Sequence, residues 1–399
     1  MSLPKVFPFR ALRPNPDFVN LITAKSTDFL NHEDLVREIR SNSFTFHHVT
    51  KSHLSYSGAY QEPEKFLPFA SQYIKEMKKK GVLIKEELEA FYLYEQVRKD
   101  GKSFKGIIAL CSIEDYKANK IKKHEEIRPS RLKFLIELFK TTKVMGEPTL
   151  LAHNGQVDLE QFSGTKLYAF TTLDDKKHTI HRIDNPIEIA SLQHSLGNIS
   201  DFYIADGHHR SASTKEFNAQ VNRLDNDKSM CFILQEDVLE ILPFHRLIKP
   251  VVSVATEDII AELSKVFKVT KSEKSLYEIQ ERNTFGLYVG KQWYKLIPKI
   301  VLQRADIVEM EELIVKGVFG IEDSRTDSQI SFHAFNSGES LLTNLVDTDT
   351  YSIGITSKAC DFSEVRAIAD ANQTMPPKST YIEPKLRSGM IIQEFGIVK

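Results

Sequence analysis

The residues best suited to chemistry in this 399-residue chain follow a short apolar run at 202–205. They are Asp206, Gly207, His208, His209, Arg210 and Ser211. The apolar run predicts a buried strand, the Asp-Gly pair predicts a turn, and the sequence from there to Val221 has the composition of a helix. A helix start offers unpaired backbone N–H groups and the positive end of the helix dipole. The pattern therefore indicates an anion-binding site.

The same segment also admits a purely structural interpretation. Asp206 could cap the helix, Gly207 could make the turn, and the two histidines could be half-buried surface residues. A cap, however, needs neither two adjacent imidazoles nor a guanidinium. We therefore favour the anion-binding interpretation.

A second polar segment, at 122–129, precedes a predicted helix and carries His124, Glu125 and Arg128. Because Pro129 disfavours helical backbone at the residue before it, we expect an ordered loop here. Glu125 could serve as a general base or a Mg²⁺ ligand, and Arg128 could clamp a carboxylate or phosphate. A solvated charged loop is the alternative.

Two more segments carry candidate anion-binding side chains. Arg10 and Arg13 alternate with apolar residues near the amino terminus. Near the other end, a Pro-Pro turn is followed by Lys378, Ser379 and Thr380. These three could hold a phosphate, although the glycine spacing of a P-loop is absent. An ordinary proline turn would explain this second segment equally.

A zinc site is a further alternative, with His124, His208 and His209 plus a carboxylate as ligands. Adjacent histidines seldom both reach one metal, and the sequence has no HExxH motif. It also lacks the GxSxG elbow of many serine hydrolases. Phosphate chemistry therefore explains the residues better.

The length predicts two or three domains, or one elaborated domain. Hairpin signals, such as Asp100-Gly101 between two apolar runs, alternate with helical segments, such as the one starting at Asn185-Pro186. The pattern at 43–49 predicts a further strand. The mixture of hairpin signals and helical segments predicts the α+β class. We place a soft boundary near Pro250, with a catalytic region at 1–250 and a C-terminal α+β region at 251–399 that packs back on the site.

The net charge of −1 argues against a general nucleic-acid binder. Three widely separated cysteines predict no disulfide framework and suit a reducing, cytoplasmic setting. The amino terminus lacks the apolar core of a signal peptide, and no apolar run is long enough for a membrane span. The sequence leaves the oligomeric state open, a homo-oligomer included.

The chain resembles the bacterial family called domain of unknown function 1015 over nearly its full length. Four separated motifs in the same order carry the resemblance: residues 8–14, 121–129, 203–210 and 375–385. The family usually has a histidine and a threonine where Glu126 and Ile127 stand here. We carry nothing over to those two positions.

The segment at 206–210 is also similar to the nucleotide-binding motif of the ParB/sulfiredoxin-like superfamily, and within it to free serine kinases. This resemblance implies a ParB/sulfiredoxin-like mixed core. It also implies a phosphotransferase or phosphatase acting on serine or O-phosphoserine. The phosphoryl donor is left open among ATP, ADP and inorganic phosphate; Mg²⁺ would be the metal, and the partners would be a nucleotide and a small amino acid.

The residues take roles that fit such a reaction. Gly207, Arg210 and Ser211 would hold phosphates, with His124 and Arg128 as further binding residues. The catalytic residues would be His208 and His209, which stabilise the transferred group, Asp206, which binds Mg²⁺ or orients a histidine, and Glu125, the base near the serine hydroxyl. The main alternative is a ParB-like nucleotide-binding regulator without metabolic catalysis. A non-catalytic small-molecule binder is a third interpretation.

Overall fold

The structure is a computed structural model that describes residues 5–26, 31–55, 62–221, 227–249 and 255–396. The chain divides into two compact units, Met1–Leu239 with Pro384–Lys399, and Glu240–Glu383. Pro250, where the sequence places the soft boundary, lies outside the described residues. Helices and sheets are mixed in both units, so the predicted α+β class is confirmed.

The strands are short, as is usual for such a class. In chain order they are β1 (Val6–Phe7), β2 (Leu12–Pro14), β3 (Leu83–Lys85), β4 (Phe91–Val97), β5 (Ser103–Ser112), β6 (Ile121–Lys122), β7 (Val144–Met145), β8 (Thr149–His153), β9 (Thr165–Thr171), β10 (Lys177–Ile183), β11 (Phe202–Asp206), β12 (Lys228–Gln235), β13 (Glu240–Leu242), β14 (Phe244–Ile248), β15 (Phe267–Ser272), β16 (Phe285–Val289), β17 (Gln292–Pro298), β18 (Ile330–Ala334), β19 (Ile353–Ser357), β20 (Tyr381–Glu383) and β21 (Gln393–Glu394).

The helices are α1 (Val19–Ile22), α2 (His32–Ser41), α3 (His47–Thr50), α4 (Leu67–Lys79), α5 (Ile113–Lys117), α6 (Pro129–Thr142), α7 (Pro186–Gly197), α8 (His208–Gln220), α9 (Thr256–Val266), α10 (Asp306–Met310), α11 (Glu339–Asp347) and α12 (Phe362–Asp370). Within the described part of the chain, no helix has the length and apolar character needed to cross a bilayer.

The first unit is built on a mixed sheet, of nine strands among the described residues, with the order β6-β11-β8-β12-β5-β4-β10-β9 and with β1 on β5. Strand β11 lies parallel to β6 and antiparallel to β8. Its Phe202 and Ile204 are fully buried in the core that also holds Leu151 and Leu192. Because these apolar residues fix β11 in the sheet, Asp206 at its end is held in one place.

Helix α8 packs on α6 through aromatic side chains. Phe217 of α8 and Phe139 of α6 meet with ring centroids 6.0 Å apart. Phe395, near the end of the chain, contacts both rings, at 4.9 Å from Phe217 and 5.4 Å from Phe139. This packing anchors the last described residues in the first unit. Those residues include Lys385 and Arg387.

The second unit contains an antiparallel sheet with the order β15-β17-β16-β19-β14-β18. Tyr277, Trp293 and Leu342 are buried in its core. Arg246 of β14 is fully buried as well, and it donates to the backbone carbonyls of Phe244, Pro377 and Lys378. The Pro-Pro turn singled out in the sequence is therefore fastened within this unit.

The hairpin around Asp100-Gly101 and the helix that begins with Asn185 as its cap are confirmed. The prediction of a strand at 43–49 is wrong, because a turn at 42–45 leads into α3. The Asn42 side chain accepts a hydrogen bond from the Phe44 N–H at 2.9 Å. Such a local side-chain bond favours a turn over the β tendency of the aromatic residues.

Buried histidines make the stability of the fold depend on pH. Burial lowers the pKa of His153 from 6.5 to about 4, although its bond to the Gly155 carbonyl acts in the opposite direction. Between these two values the unfolded chain binds more protons than the folded chain. The contribution of His153 to the free energy of unfolding is therefore fully present above about pH 6.5 and is lost as the pH drops towards 4.

We expect wild type to lose more unfolding free energy than His153→Gln between pH 7 and pH 5.5. The difference should approach about 1 kcal/mol, because one histidine contributes at most about 1.4 kcal/mol per pH unit. Urea unfolding at both pH values measures it. His194→Gln, at an exposed position, should behave as wild type; an identical acid sensitivity in His153→Gln would contradict the expectation.

Candidate functional site

The start of α8 is shaped by Gly207, which has φ +98° and forms the helix N-cap. Its carbonyl accepts the N–H groups of Arg210 and Ser211. The N–H groups of His208 and His209 precede the first helical hydrogen bond and have no acceptor within the helix. A Cβ at position 207 would lie 2.7 Å from Arg210 Nε. The backbone angle therefore favours glycine, and a side chain here would have to displace the end of Arg210.

A cavity of about 210 Å³ opens at this helix start. Its lining includes four cationic side chains, Lys25, Lys51, Arg131 and Arg210, and three acidic ones, Glu125, Glu147 and Asp206. All of them belong to the first unit. The small cationic excess adds to the helix dipole, and together they favour an anion.

Asp206 is held between two cations. Its carboxylate accepts from Arg210 Nη2 at 3.1 Å and lies 3.7 Å from Lys385 Nζ. Burial alone would raise the pKa of Asp206, but Lys385 and Arg210 lower it well below its usual range. Arg210 also donates to Glu147 through Nη1. Asp206 therefore positions the guanidinium at the cavity wall.

Both histidines are fixed by backbone amides of the loop before α6. The His124 N–H donates to His208 Nε2 at 3.3 Å, and the Arg128 N–H donates to His209 Nε2 at 2.9 Å. Each neutral imidazole must then carry its proton on Nδ1. The Nδ1 atom of His208 lies 3.4 Å from Glu125 Oε2. The two rings thus present N–H donors of defined tautomer.

The imidazoles of the site are neutral at pH 7. Burial lowers the pKa of His208 to about 3, in spite of the nearby Asp206 carboxylate. Burial and the neighbouring His208 lower the pKa of His124 to about 3. Burial, followed by the charges of Arg128 and Arg131, also lowers the pKa of His209. The rings of His208 and His209 therefore act as neutral hydrogen-bond donors.

The carboxylate of Asp206 does not fit a Mg²⁺ site as arranged, because Arg210 and Lys385 already neutralise it. Nitrogen and oxygen ligand atoms of His124, Glu125 and His208 lie within 4.8 Å of one another. Two imidazoles and a carboxylate suit a transition metal better than Mg²⁺. Glu125 thus supplies the carboxylate of the zinc alternative, whereas His209 does not belong to this group.

Other predicted site residues lie elsewhere in the first unit. Ser211 is buried, and its hydroxyl is 3.0 Å from that of Thr149. Arg13 forms an ion pair with Glu86. Arg10 is exposed. Among the described residues, none of these three lines the cavity. Arg128 does not line it either, but its backbone N–H donates to His209 Nε2.

Lys378, Ser379 and Thr380 belong to the second unit. The Lys378 Nζ lies 5.1 Å from the centroid of the Phe244 ring. The Ser379 hydroxyl donates to the Pro376 carbonyl at 2.6 Å. The closing of this turn over the site, like the packing of the C-terminal region on it, stays a prediction.

Five charged residues at the site were not among those predicted from the sequence: Lys25, Lys51, Arg131, Glu147 and Lys385. Lys385 belongs to one of the motifs that carry the family resemblance, so the sequence could have identified it as a site residue. Glu147 follows a Met-Gly pair in an unremarkable segment and carries no local signal. Arg131 is in the first turn of α6, on the side that faces the cavity.

Comparison with solved structures gives distant matches. A mutant free serine kinase in complex with AMP matches at 15% identity and a TM-score of 0.40, covering 72% of this chain and 91% of that one. A conserved hypothetical protein from Pyrococcus furiosus matches at 15% identity and a TM-score of 0.38, covering 73% and 95%. C-terminally truncated SbnI from Staphylococcus aureus matches at 13% identity and a TM-score of 0.40, covering 69% and 82%.

No protein with a curated description matches the chain. A family model described as a protein of unknown function, DUF1015, matches residues 6–315. This match covers well over half of the sequence and includes the strand, the glycine turn and the helix start that form the cavity. The chain belongs to the DUF1015 family.

Proposed function

We propose that the cavity at the start of α8 transfers a phosphoryl group to or from free serine. As a serine kinase it would convert serine and a nucleotide into O-phosphoserine and the nucleotide with one phosphate fewer; in reverse, that nucleotide or water would accept the phosphoryl group of O-phosphoserine. One observation carries the proposal: the start of α8, where the N–H groups of His208 and His209 have no acceptor within the helix, lines a cavity together with two imidazoles of fixed tautomer.

The helix start would hold the transferred group. A phosphoryl group in transfer spreads negative charge over its equatorial oxygens, and fixed donors stabilise that charge without reorganising. The two backbone N–H groups, the Nδ1–H of His209 and the Arg210 guanidinium are such donors. Arg210 is already oriented by Asp206 and Glu147, so little side-chain entropy is lost when an anion binds.

Glu125 is the group best placed to exchange a proton with the serine hydroxyl. It lines the cavity and is partly exposed, and its carboxylate lies beside the His208 ring. A bond from His208 Nδ1–H would orient that carboxylate without removing its charge. We assign His208 as a positioning residue and Glu125 as the general base, or the general acid in the reverse direction.

A nucleotide donor, ATP or ADP, is supported by the similarity of residues 206–210 to the motif of free serine kinases. When bound, the nucleotide would supply the phosphoryl group. Its phosphates would meet the helix start, and Lys25, Lys51 and Arg131 line the same cavity. We assign no step to Mg²⁺, because Asp206 is engaged with two cations.

Product analysis tests the function directly. The purified chain is incubated with serine and either ATP or ADP, with and without Mg²⁺, and O-phosphoserine is measured by mass spectrometry. A second arm starts from O-phosphoserine, with ADP or AMP as the acceptor or with water alone, and measures serine. Product in either arm supports the proposal. Nucleotide binding without product in both arms would instead favour the nucleotide-binding regulator.

Replacing the proposed base should slow the chemical step and spare binding. We expect Glu125→Gln to lower kcat by about 10²–10⁴-fold, because the amide keeps the contact with His208 but cannot take a proton. The KM for serine should change little. Glu126→Gln alters the exposed neighbour and serves as the control. Steady-state rates equal to wild type in Glu125→Gln would remove the assignment.

We expect Gly207→Ala to weaken anion binding in addition to straining the backbone. At Gly101, which has φ +87°, an added Cβ would have nothing within 4 Å, whereas at Gly207, with φ +98°, it would meet the Arg210 guanidinium at 2.7 Å. An alanine in the left-handed region costs about 1–2 kcal/mol at either position. Only Gly207→Ala must also displace Arg210.

We therefore expect Gly207→Ala to weaken ADP binding by about tenfold or more, the loss of one charge-assisted hydrogen bond. Gly101→Ala should bind ADP as wild type does. Calorimetric titration measures both affinities, and urea unfolding confirms that the two variants are folded. Equal ADP affinity in the two variants would contradict the role given to this helix start.

A further inference from the structure

We propose that a second, smaller recess in the first unit binds the carboxylate of the amino-acid substrate. The inference rests on the proposed function, which it deepens by giving the amino acid a binding site. The recess is lined by Gln96 of β4, by Asp174, Lys176 and His178 of the β9–β10 hairpin, and by Lys385 and Arg387.

Two buried donors in this recess have no acceptor among the described residues. Gln96 is fully buried; its amide oxygen accepts from the Tyr94 hydroxyl at 3.1 Å, while its Nε2 has no hydrogen-bond partner. The Arg387 Nε also has none, although Arg387 Nη2 donates to the Thr23 carbonyl at 2.7 Å. Buried donors are normally satisfied, so both atoms point to an acceptor that binds here.

The charge of the recess selects an anion. Its lining holds four cationic side chains, those of Lys25, Lys176, Lys385 and Arg387, against the single carboxylate of Asp174. Burial would raise the pKa of Asp174, but a bond from Thr172 and the charges of Arg387, Lys25 and Lys176 lower it. Burial lowers the pKa of His178 to about 3, so this ring is neutral at pH 7. The positive charge is therefore in excess.

The size of the recess selects a small group. Its volume of about 10 Å³ corresponds to roughly one water-sized position. One carboxylate oxygen can occupy such a position, whereas a nucleotide cannot. Arginine and amide donors are also the groups that commonly bind carboxylate oxygens.

The recess adjoins the helix start. Lys25 and Ser26 line both the recess and the larger cavity. Lys385 Nζ, in the recess, lies 3.7 Å from the Asp206 carboxylate at the end of β11. An amino acid held here by its carboxylate could direct a short hydroxyl side chain towards the phosphoryl site. This geometry favours a small hydroxy amino acid such as serine over a longer one.

The test compares two ligands that differ by the carboxylate alone, O-phosphoserine and O-phosphoethanolamine, by calorimetric titration of the full chain. We expect wild type to bind O-phosphoserine about tenfold or more tightly, as one charge-assisted contact implies. Gln96→Glu, which replaces a donor with a like charge, should abolish this preference. Arg387→Lys, which keeps the charge but removes the Nε–H, should reduce it.

Gln161→Glu makes the same change at an exposed position and should keep the wild-type preference. The absence of a preference in wild type, or its persistence in both recess variants, would overturn the proposal. Turnover separates this result from the proposed function. A preference for O-phosphoserine without any product would support the recess proposal and overturn the kinase assignment. Product without such a preference would support the kinase assignment and overturn the recess proposal.

Discussion

The left-handed turn at Gly207 is the constraint on which the site depends. The apolar residues of β11 fix the chain up to Asp206, and the turn then places the start of α8, with its first N–H groups, at the cavity. A side chain at position 207 would meet the Arg210 guanidinium. Displacing that guanidinium would disturb its pairing with Asp206 and Glu147, and the left-handed backbone angle favours glycine here.

The site keeps its histidines neutral while surrounding them with charge. Burial lowers the pKa of both His124 and His208 to about 3. Backbone amides of the 124–128 loop hold His208 and His209 by their Nε2 atoms. A neutral ring whose proton is fixed on Nδ1 can donate one hydrogen bond to an anion. The carboxylates of Asp206 and Glu147, by contrast, are paired with the cations around the rim.

Local patterns in the sequence predicted the strand, the turn and the helix start, because an apolar run, Asp-Gly and a helical composition act over a few neighbouring residues. Partners far apart in the chain were not predictable in this way. Glu147 reaches Arg210 across 63 positions, and Arg13, expected to bind an anion, is instead paired with Glu86. The donors of Gln96 and Arg387 meet only because the carboxyl-terminal residues pack into the first unit.

The most direct test observes the two backbone amides at the helix start. Selective ¹⁵N-histidine labelling limits the NMR spectrum to the 13 histidines of the chain, and the signals of His208 and His209 can be assigned by substitution. On titration with inorganic phosphate, the amide protons of His208 and His209 should shift and saturate, while those of His153 and His245 stay in place. If phosphate left both helix-start amides unmoved, the anion site proposed here would be wrong.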